Sequence, residues 1–246
     1  MNVLEIRRFP IKSLVGERVD AADIEQRGIV DDRRWAVRDP DGKLGSGKST
    51  RRFRRMPGLL DLRGRHADPV PVVELPDGRT FAADDPAGHD AVSRFLGRSV
   101  TIVPEAAVPH HDEGPVSLIT TAGLRQLDAL TDEVVDPVWF RANLLIDAPG
   151  RGFVEDGWLD GDLRVGPDVV LRPRERITRC TMVDMAQDGV PAPGGLLRAV
   201  TEHHDMTFGV WATVVRTGRL TVGDAVTGPS VGQSRPAGAG KRLDPS

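Results

Sequence analysis

The sequence predicts a mainly β protein with α+β elements, built from two β-barrel-like domains of which the second carries peripheral helices. The chain has 27 glycines and 19 prolines, and these turn-forming residues divide it into short segments. Most segments have the composition of strands, and only three show apolar residues at helical spacing. Many short strands with few helices are typical of barrels with attached helices.

The individual elements follow from the same patterns. The predicted strands are Val3–Phe9, Arg18–Gln26, Arg34–Arg38, Val70–Leu75, Val100–Val103, Val169–Leu171, Phe208–Val215 and Leu220–Val222. Hairpin-type turns are predicted at Asp41-Gly42 and Asp77-Gly78. Helices are predicted over Asp85–Leu96, over Thr121–Leu130 after a threonine cap, and over Ala192–Val200 behind its proline and glycine residues.

Composition sets limits on compartment and partners. The 246 residues are 39% hydrophobic and 28% charged, as in an ordinary globular protein with a sizeable core. A net charge of −3 gives no pull toward nucleic acid or an anionic membrane, and 4% aromatic content without tyrosine disfavours base-stacking platforms. The charged N-terminus lacks a signal-peptide core, and no apolar run approaches the ~20 residues that span a bilayer. We therefore expect a cytoplasmic protein without nucleic-acid or membrane partners.

The chain is long enough for one large domain or two small ones. The candidate boundary is Pro104–Pro115, which contains the polar run His110-His111-Asp112-Glu113-Gly114. We therefore predict one domain over residues 1–106 and a second over residues 107–228. Residues 229–246 are rich in Gly, Pro and Ser without apolar periodicity, which predicts a disordered tail.

Cys180 is the only cysteine of the chain, which excludes an intramolecular disulfide, a cysteine-only zinc site and an iron–sulfur cluster held by several of its thiolates. What remains is a nucleophile, a ligand for one soft metal ion, or a small buried hydrophobe. Arg179 is adjacent in sequence, with Arg172, Arg174 and Arg176 just upstream. Nearby cations lower a thiol pKa and favour the thiolate, which is the form that attacks or ligates.

Two further motifs match known patterns without the context that those patterns need. Gly42–Ser49 matches the phosphate-loop pattern GxxxxGK[ST], but four arginines and a Pro-Gly step follow where a helix is required. A flexible basic hairpin loop, either solvated or placed over an anionic ligand, is the better interpretation. His110-His111-Asp112 and His203-His204-Asp205 suggest a metal site, but consecutive strand residues point to opposite faces, so neither triplet chelates alone.

The segment Trp139–Asp147 carries Arg141 and Asn143 two residues apart. On a strand these side chains share one polar face, which suits an anionic, heteroatom-rich ligand. The alternative is an ordinary edge strand with a solvated face. Near the N-terminus, Lys12-Ser13 follows a strand-like run and Arg33 comes one hairpin later; singly, these residues are unremarkable.

Taken together, these segments resemble the MOSC family, named for the C-terminal part of molybdenum cofactor sulfurase. The resemblance covers nearly the whole chain. FPIKSLVGE and GIVDDRRW resemble the β-barrel domain that commonly precedes MOSC, and PVSLITTAGLRQL, FRANLLID, ITRC and FGVWATVVRTGRLTV resemble the MOSC domain itself. The resemblance implies that the second domain is a MOSC-type barrel with peripheral helices.

The resemblance also implies a molybdenum–molybdopterin cofactor (Mo-MPT) whose metal is coordinated by Cys180, the implied catalytic residue. The residues implied to hold the cofactor are Lys12, Ser13, Arg33, Thr120, Thr121, Arg141, Asn143, Thr178, Arg179 and Cys180. Cationic donors, hydroxyls and a soft thiolate suit the phosphate, pterin edge and metal of such a cofactor. The basic segment Lys48–Arg55 is expected to border the substrate entrance.

The implied activity is reduction of N-hydroxylated small molecules at molybdenum bound to Cys180. Electrons are expected from a separate donor protein, because the chain lacks the cysteines for an iron–sulfur domain of its own. Three alternatives stay open: a sulfurtransferase that carries a persulfide on Cys180, a non-catalytic carrier of molybdenum cofactor, and, more remotely, nucleotide binding through Gly42–Ser49.

Overall fold

The computed structural model describes residues 1–229, and these residues form a mostly β protein with three α-helices. The mainly β fold class is therefore confirmed. Except for Pro229, the tail predicted over residues 229–246 lies outside the described residues. No helix among residues 1–229 combines the length and the apolar character needed to cross a membrane.

The strands are short and follow one another closely. Those of the first half are β1 (Asn2–Arg8), β2 (Ile11–Lys12), β3 (Glu17–Val19), β4 (Ala21–Glu25), β5 (Gly28–Ile29), β6 (Trp35–Arg38), β7 (Leu44–Ser46), β8 (Phe53–Arg55), β9 (Arg63–Arg65), β10 (Val72–Glu74), β11 (Thr80–Ala82) and β12 (Thr101–Pro104). Those of the second half are β13 (Val116–Thr120), β14 (Leu144–Asp147), β15 (Leu163–Val165), β16 (Val169–Thr178), β17 (Thr207–Arg216), β18 (Gly218–Thr221) and β19 (Val226–Thr227).

The helices are α1 (Pro86–Leu96), α2 (Thr121–Thr131) and α3 (Leu196–His204). The Asp85 carboxylate caps α1 by accepting from the Ala87 amide at 2.8 Å, and Gly97 ends the helix in the left-handed conformation. The predictions for α1 and α2 are confirmed. The third prediction, Ala192–Val200, starts too early: α3 begins at Leu196, because Gly195 before it has a left-handed backbone (φ 98°) that cannot continue a right-handed helix.

The largest sheet has eight strands in the order β19-β15-β16-β17-β13-β14-β1-β3, of which β13 and β14 pair in parallel. A second sheet joins β12, β6, β7 and β8, with β2 added in parallel to β6. Two three-stranded sheets, β11-β10-β9 and β18-β4-β5, complete the strand pairing of residues 1–229. None of these strand orders closes on itself, so the barrel-like domains are built from open sheets.

The first strand belongs to the sheet of the C-terminal half. β1 pairs antiparallel with β14, and β4 pairs antiparallel with β18. Ile6 and Ile24 are accordingly buried in one apolar core with Leu144 and Leu171. A separate core fills the first domain, and a third lies where α2 and α3 pack on the sheet. The two halves are therefore joined through a shared core as well as through the chain.

Residues 105–115 connect the halves without helix or strand. The connector is held by side chains of the first domain: the Arg52 guanidinium donates to the His111 carbonyl at 3.1 Å and to the Pro109 carbonyl. Arg27 forms an ion pair with Glu105. These bonds fix the connector beside the candidate site described next.

Candidate functional site

A cleft between the two halves brings together seven of the ten sequence-predicted site residues. They reach it from β2, from the turn before β6, and from the ends of β16 and of the segment before β14. The seven are Lys12, Ser13, Arg33, Arg141, Thr178, Arg179 and Cys180. Because the positions lie far apart in sequence, the cleft exists only in the folded chain.

Cys180 lies where β16 ends and the chain turns. Its backbone is extended (φ −134°), and its carbonyl accepts from the Val183 amide at 3.1 Å, which starts a short 3₁₀ turn over Thr181–Asp184. The side chain is half-buried and lines the cleft. The thiol therefore stands at the end of a rigid strand rather than on a free loop.

Only one of the four arginines near Cys180 in sequence faces the cleft. Arg172, Arg174 and Arg176 lie along β16 and form ion pairs at the surface with Asp162, Asp160 and Asp205, respectively. These three side chains do not line the cleft, whereas Arg179, which follows the register irregularity between Arg176 and Thr178, does. The expectation that all four act on the thiol is wrong.

Arg179 is buried, with 8% of its surface exposed, and it has no carboxylate partner among residues 1–229. Its Nε and Nη2 donate to the Phe208 carbonyl at 2.8 and 2.6 Å, and its Nη1 donates to the Phe140 carbonyl at 2.9 Å. Burial lowers the pKa of the guanidinium to about 9. A cation held by carbonyls alone keeps its full charge, so it attracts an anion in the cleft.

Lys12 is 3% exposed, and its Nζ lies 2.8 Å from Asp112 Oδ1 of the connector. Its pKa is lowered to about 8, mainly by burial with smaller contributions from Arg33 and Arg52, whereas Asp112 opposes the shift. Its neighbour Ser13 has a left-handed backbone (φ 68°) and donates from Oγ to the Gly45 carbonyl at 2.9 Å. The predicted Lys-Ser step is thus held rigidly at the cleft wall.

Arg33 and Arg141 both have left-handed backbones, and their guanidinium carbons lie 4.6 and 4.5 Å from the centre of the Phe9 ring. Arg33 also pairs with buried Asp32 and donates from Nη2 to the Arg141 carbonyl at 3.1 Å. Arg141 follows a 3₁₀ turn over Pro137–Phe140. The predicted strand through Arg141 and Asn143 is therefore wrong, because the strand begins only at Leu144.

Three predicted residues do not line the cleft. Asn143 is fully buried, where its Oδ1 accepts from Ser117 Oγ at 2.8 Å and its Nδ2 donates to the Arg7 carbonyl at 3.2 Å. Thr120 caps α2 by accepting from the Gly123 amide at 3.0 Å, and Thr121 Oγ1 donates to the Ala148 carbonyl at 3.1 Å. Their side chains support the walls of the site, and their predicted contact with a cofactor gains no geometric support.

Several residues that line the cleft were missed from the sequence. They are Ser46, Asp112, Glu113, Ser117, Trp139, Phe140, Met182, Val183 and Trp211. Two of them could have been recognised from the sequence: Asp112 lies in the polar run of the connector, and Trp139 lies in the same motif as Arg141. Trp211 is placed by its Nε1, which donates to Glu113 Oε2 at 3.1 Å.

The basic segment reaches the cleft through its first residues. It runs between β7 and β8, which pair in parallel, so it is a crossover loop and not a hairpin. The next element after Gly42–Ser49 is the strand β8, so the phosphate-loop motif lacks the helix that it requires directly after it. Lys48 lines the cleft, and Gly47 packs so tightly on Met182 that an added Cβ would lie 2.2 Å from Met182 Cγ. The loop thus covers the turn that follows Cys180.

The two His-His-Asp triplets do not combine. Asp112 is paired with Lys12, whereas His204 Nε2 lies 2.8 Å from Asp156 Oδ2 and Asp205 pairs with Arg176. Burial lowers the pKa of His111 to about 4, so its imidazole is neutral at pH 7. Within residues 1–229 no three His, Cys, Asp or Glu side chains form a group suited to a metal ion.

The donor set fits a phosphorylated cofactor with a thiolate-ligated metal. Five cations line the cleft against the carboxylates of Asp112 and Glu113, and Cys180 supplies one soft ligand. Hydroxyls of Ser13, Ser117 and Thr178 add polar contacts. The cleft encloses about 100 Å³, less than the roughly 300–1,000 Å³ of typical ligand sites.

The family follows from two matches that together span almost the whole chain. The MOSC domain model matches residues 105–227, and the model of the MOSC N-terminal beta barrel domain matches residues 1–97. The chain therefore belongs to the MOSC family, which in general binds molybdenum cofactor. No curated protein matches the chain.

Solved structures similar to this chain share little sequence with it. The YuaD protein from Bacillus subtilis is 12% identical, with 91% of this chain and 92% of that chain covered and a TM-score of 0.49. YiiM from Geobacillus stearothermophilus is 12% identical, with 63% and 69% covered and a TM-score of 0.38. A hypothetical protein is 9% identical, with 90% and 65% covered and a TM-score of 0.39.

Proposed function

We propose that this protein is a Mo-MPT-dependent reductase of N-hydroxylated small molecules, such as amidoximes or hydroxylamines, with Cys180 as the ligand of the metal. The observation that carries the proposal is the position of Cys180: the only thiol of a MOSC chain lines a cleft whose cations outnumber its carboxylates. A cleft with an excess of positive charge and one soft ligand suits an anionic, metal-bearing cofactor.

Four of the five cleft cations divide into two groups by their partners. Arg179 and Arg141 have no carboxylate partner in the described chain, so they are the residues expected to bind the cofactor's phosphate most strongly. Lys12 and Arg33 are already paired with Asp112 and Asp32. We therefore expect their N–H groups to orient a bound ligand, while their positive charge contributes less to balancing the charge of that ligand. When bound, the molybdenum centre supplies the electron transfer that no side chain provides.

The chain's own residues supply an apolar surface that excludes water and a group that can donate a proton. Trp139, Phe140 and Trp211 line the cleft with apolar surface, which excludes water from a small planar substrate. Reduction of an N–OH group to N–H consumes two electrons and two protons and releases water. The Lys12 Nζ, with a pKa of about 8, holds a proton at pH 7 beside the cleft. The electrons are proposed to come from a separate donor protein.

The experiment compares metal and pterin content of wild type and Cys180→Ala after expression in a host that makes the cofactor. Met206→Ala, at an exposed position, is the matched control. We expect near-stoichiometric molybdenum and pterin in wild type and control, loss of the metal in Cys180→Ala, and benzamidoxime reduction with a dithionite-reduced dye only where metal is present. Full metal content and activity in Cys180→Ala would overturn the proposal.

A sulfurtransferase is the second candidate, and the half-buried thiol beside buried Arg179 favours it. In that case a persulfide forms on Cys180 when a sulfur donor is added, and wild type contains neither metal nor pterin. A third outcome, cofactor binding with no reduction of any N-hydroxylated compound, would identify a cofactor carrier.

A further inference from the structure

A second polar cavity, of about 310 Å³, shares Arg141 with the Cys180 cleft. It lies between β1, β3, β9 and the segment around Gln187. Its wall holds five guanidinium groups and the two carboxylates of Glu17 and Asp188. Of its five arginines only Arg141 belongs to a motif found in the sequence, because the arginines come from three separate strands and one connecting turn.

Two buried polar atoms at this cavity lack hydrogen-bond partners. Arg7 is 7% exposed and Gln187 is 2% exposed, and Arg7 Nη2 and Gln187 Oε1 are two of the six such side-chain atoms in residues 1–229. The Arg7 Nε donates to Glu5 at 3.0 Å, and Nη2 lies 2.9 Å from the same oxygen without a second hydrogen bond. The ion pair with Glu5 holds Arg7 Nη2, whereas Gln187 Oε1 is a buried polar atom without a partner, which is costly.

The hydrogen bonds of Gln187 show which of its polar atoms remains without a partner. Its Nε2 donates to the Met182 carbonyl at 2.9 Å and to the Trp139 carbonyl at 3.2 Å. The amide is therefore oriented with both donors used and with Oε1 as an unpaired acceptor. A ligand that reaches Gln187 from this cavity needs a hydrogen to donate to Oε1.

The charges of the cavity favour an anion. Four of its arginines have carboxylate partners, and each keeps further N–H donors for a ligand. These pairs are Arg7–Glu5, Arg18–Glu5, Arg63–Asp188 and Arg65–Glu74. Arg141 has no carboxylate partner in the described residues, and its Nη2 donates to the Leu14 carbonyl at 2.6 Å. Burial lowers the pKa of Arg141 to about 9, as expected of a cation that lacks a counter-ion.

We propose that this cavity binds a small phosphate-bearing molecule that carries a hydrogen-bond donor next to its anionic oxygens. Inorganic phosphate has this chemistry in its P–OH group, and a small phosphate ester has it when a hydroxyl stands nearby. Guanidinium groups bind such oxyanions through paired N–H donors, and the Oε1 of Gln187 accepts the remaining hydrogen. Sulfate has the shape of phosphate and the charge of its dianion without the hydrogen, which makes it a selective comparison.

The test is a calorimetric titration of the full chain with inorganic phosphate, glycerol phosphate and sulfate at constant ionic strength. We expect one saturable phosphate site and at least fivefold weaker binding of sulfate. The double variant Arg18→Gln/Arg65→Gln, whose side chains are 63% and 49% exposed, is expected to fold and to lose at least tenfold in affinity. Arg79→Gln, an exposed arginine paired with Asp77 elsewhere, is the matched control and is expected to bind like wild type.

A further variant separates this cavity from the Cys180 cleft. Lys48 lines only the cleft, so Lys48→Gln is expected to leave phosphate binding unchanged. Loss of binding in Lys48→Gln with retention in the double variant would place phosphate in the cleft and overturn the proposal, as would absence of saturable binding. Stronger binding of glycerol phosphate than of inorganic phosphate would identify an organic ester as the ligand. The proposal is independent of molybdenum, so its failure says nothing about Cys180.

Discussion

Lys12 Nζ lies 2.8 Å from Asp112 Oδ1, and this pair joins β2 of the first domain to the connector between the domains. The lysine is almost fully buried, whereas 41% of the aspartate side chain is exposed. Burial is therefore the main influence on the Lys12 pKa, which falls to about 8, while the Asp112 carboxylate limits the fall. The pair sets the charge of one wall of the cleft near neutral pH.

Asp112→Asn is expected to lower the pKa of Lys12 below the wild-type value of about 8, because it removes the charge that opposes desolvation. The chain has four lysines, so reductive methylation with carbon-13 resolves the Lys12 signal by NMR across a pH series. Asp84→Asn, at an exposed position of the same domain, is the control. An unchanged Lys12 pKa in Asp112→Asn would show that the pair does not set this charge.

The fold could be predicted where local chemistry determines it. Asp85 before a proline and Gly97 at the end define α1, and the run of β-branched and aromatic residues in Phe208–Val215 defines β17. The pairing of β1 with β14 could not be predicted, because it joins residues more than a hundred positions apart and depends on the shared core. The left-handed backbone at Arg141 likewise results from the 3₁₀ turn before it, and it ended the predicted strand.

The site could be predicted where the residues of a short motif lie next to each other in the sequence and also in the structure. Arg179 and Cys180 lie next to each other at the end of β16, and the structure places both at the cleft. Thr120 and Asn143 were named from the same kind of motif, yet their side chains turn inward to cap α2 and to bond Ser117. The direction of a side chain depends on tertiary packing, which a motif does not record.

Glu155 is expected to make the protein less stable as the pH rises. It is fully buried, and burial raises the pKa of its carboxyl to about 7. The pKa of this carboxyl is near 4.5 in the unfolded chain and about 7 in the folded chain. Between these two pH values the folded chain binds more protons than the unfolded chain, so the free energy of unfolding falls as pH rises. The total loss is on the order of 3 kcal/mol.

Urea denaturation at pH 5, 6, 7 and 8 measures this effect. Glu155→Gln cannot ionise and still accepts from Thr120, so its stability is expected to vary less with pH than that of wild type. Glu202→Gln, on the exposed face of α3, is expected to follow wild type. Identical pH dependence in Glu155→Gln and wild type would contradict the assignment.

Thr120→Val is expected to destabilise the protein without removing any cofactor contact. The hydroxyl accepts from the Gly123 amide and donates to Glu155 at 2.7 Å, so its loss leaves an N-terminal amide of α2 uncapped. A lost cap costs about 1–2 kcal/mol, which thermal unfolding resolves. Thr201→Val, whose hydroxyl bonds only within α3, is the control. Molybdenum per folded molecule is expected to match wild type; a selective loss of metal would instead support the cofactor contact implied by the motif.

Met182→Ala is expected to expose Cys180. Met182 and Gly47 press the basic segment onto the turn after Cys180, and removing the long side chain opens the narrow cleft at that point. The rate of alkylation by iodoacetamide measures the opening directly, since Cys180 is the only thiol of the chain. We expect a rate increase of about threefold or more in Met182→Ala and none in Met206→Ala, because a side chain that covers a thiol limits its reaction with a reagent.

Gly47→Ala provides the complementary test of the same contact. The added methyl group overlaps Met182 and has to displace it, so this variant is also expected to react faster than wild type. In the Met182→Ala background the methyl finds the space that the methionine left, and the second substitution is expected to add little. Additive effects of the two substitutions, or equal alkylation rates in all variants, would show that the Gly47–Met182 contact does not control access to the thiol.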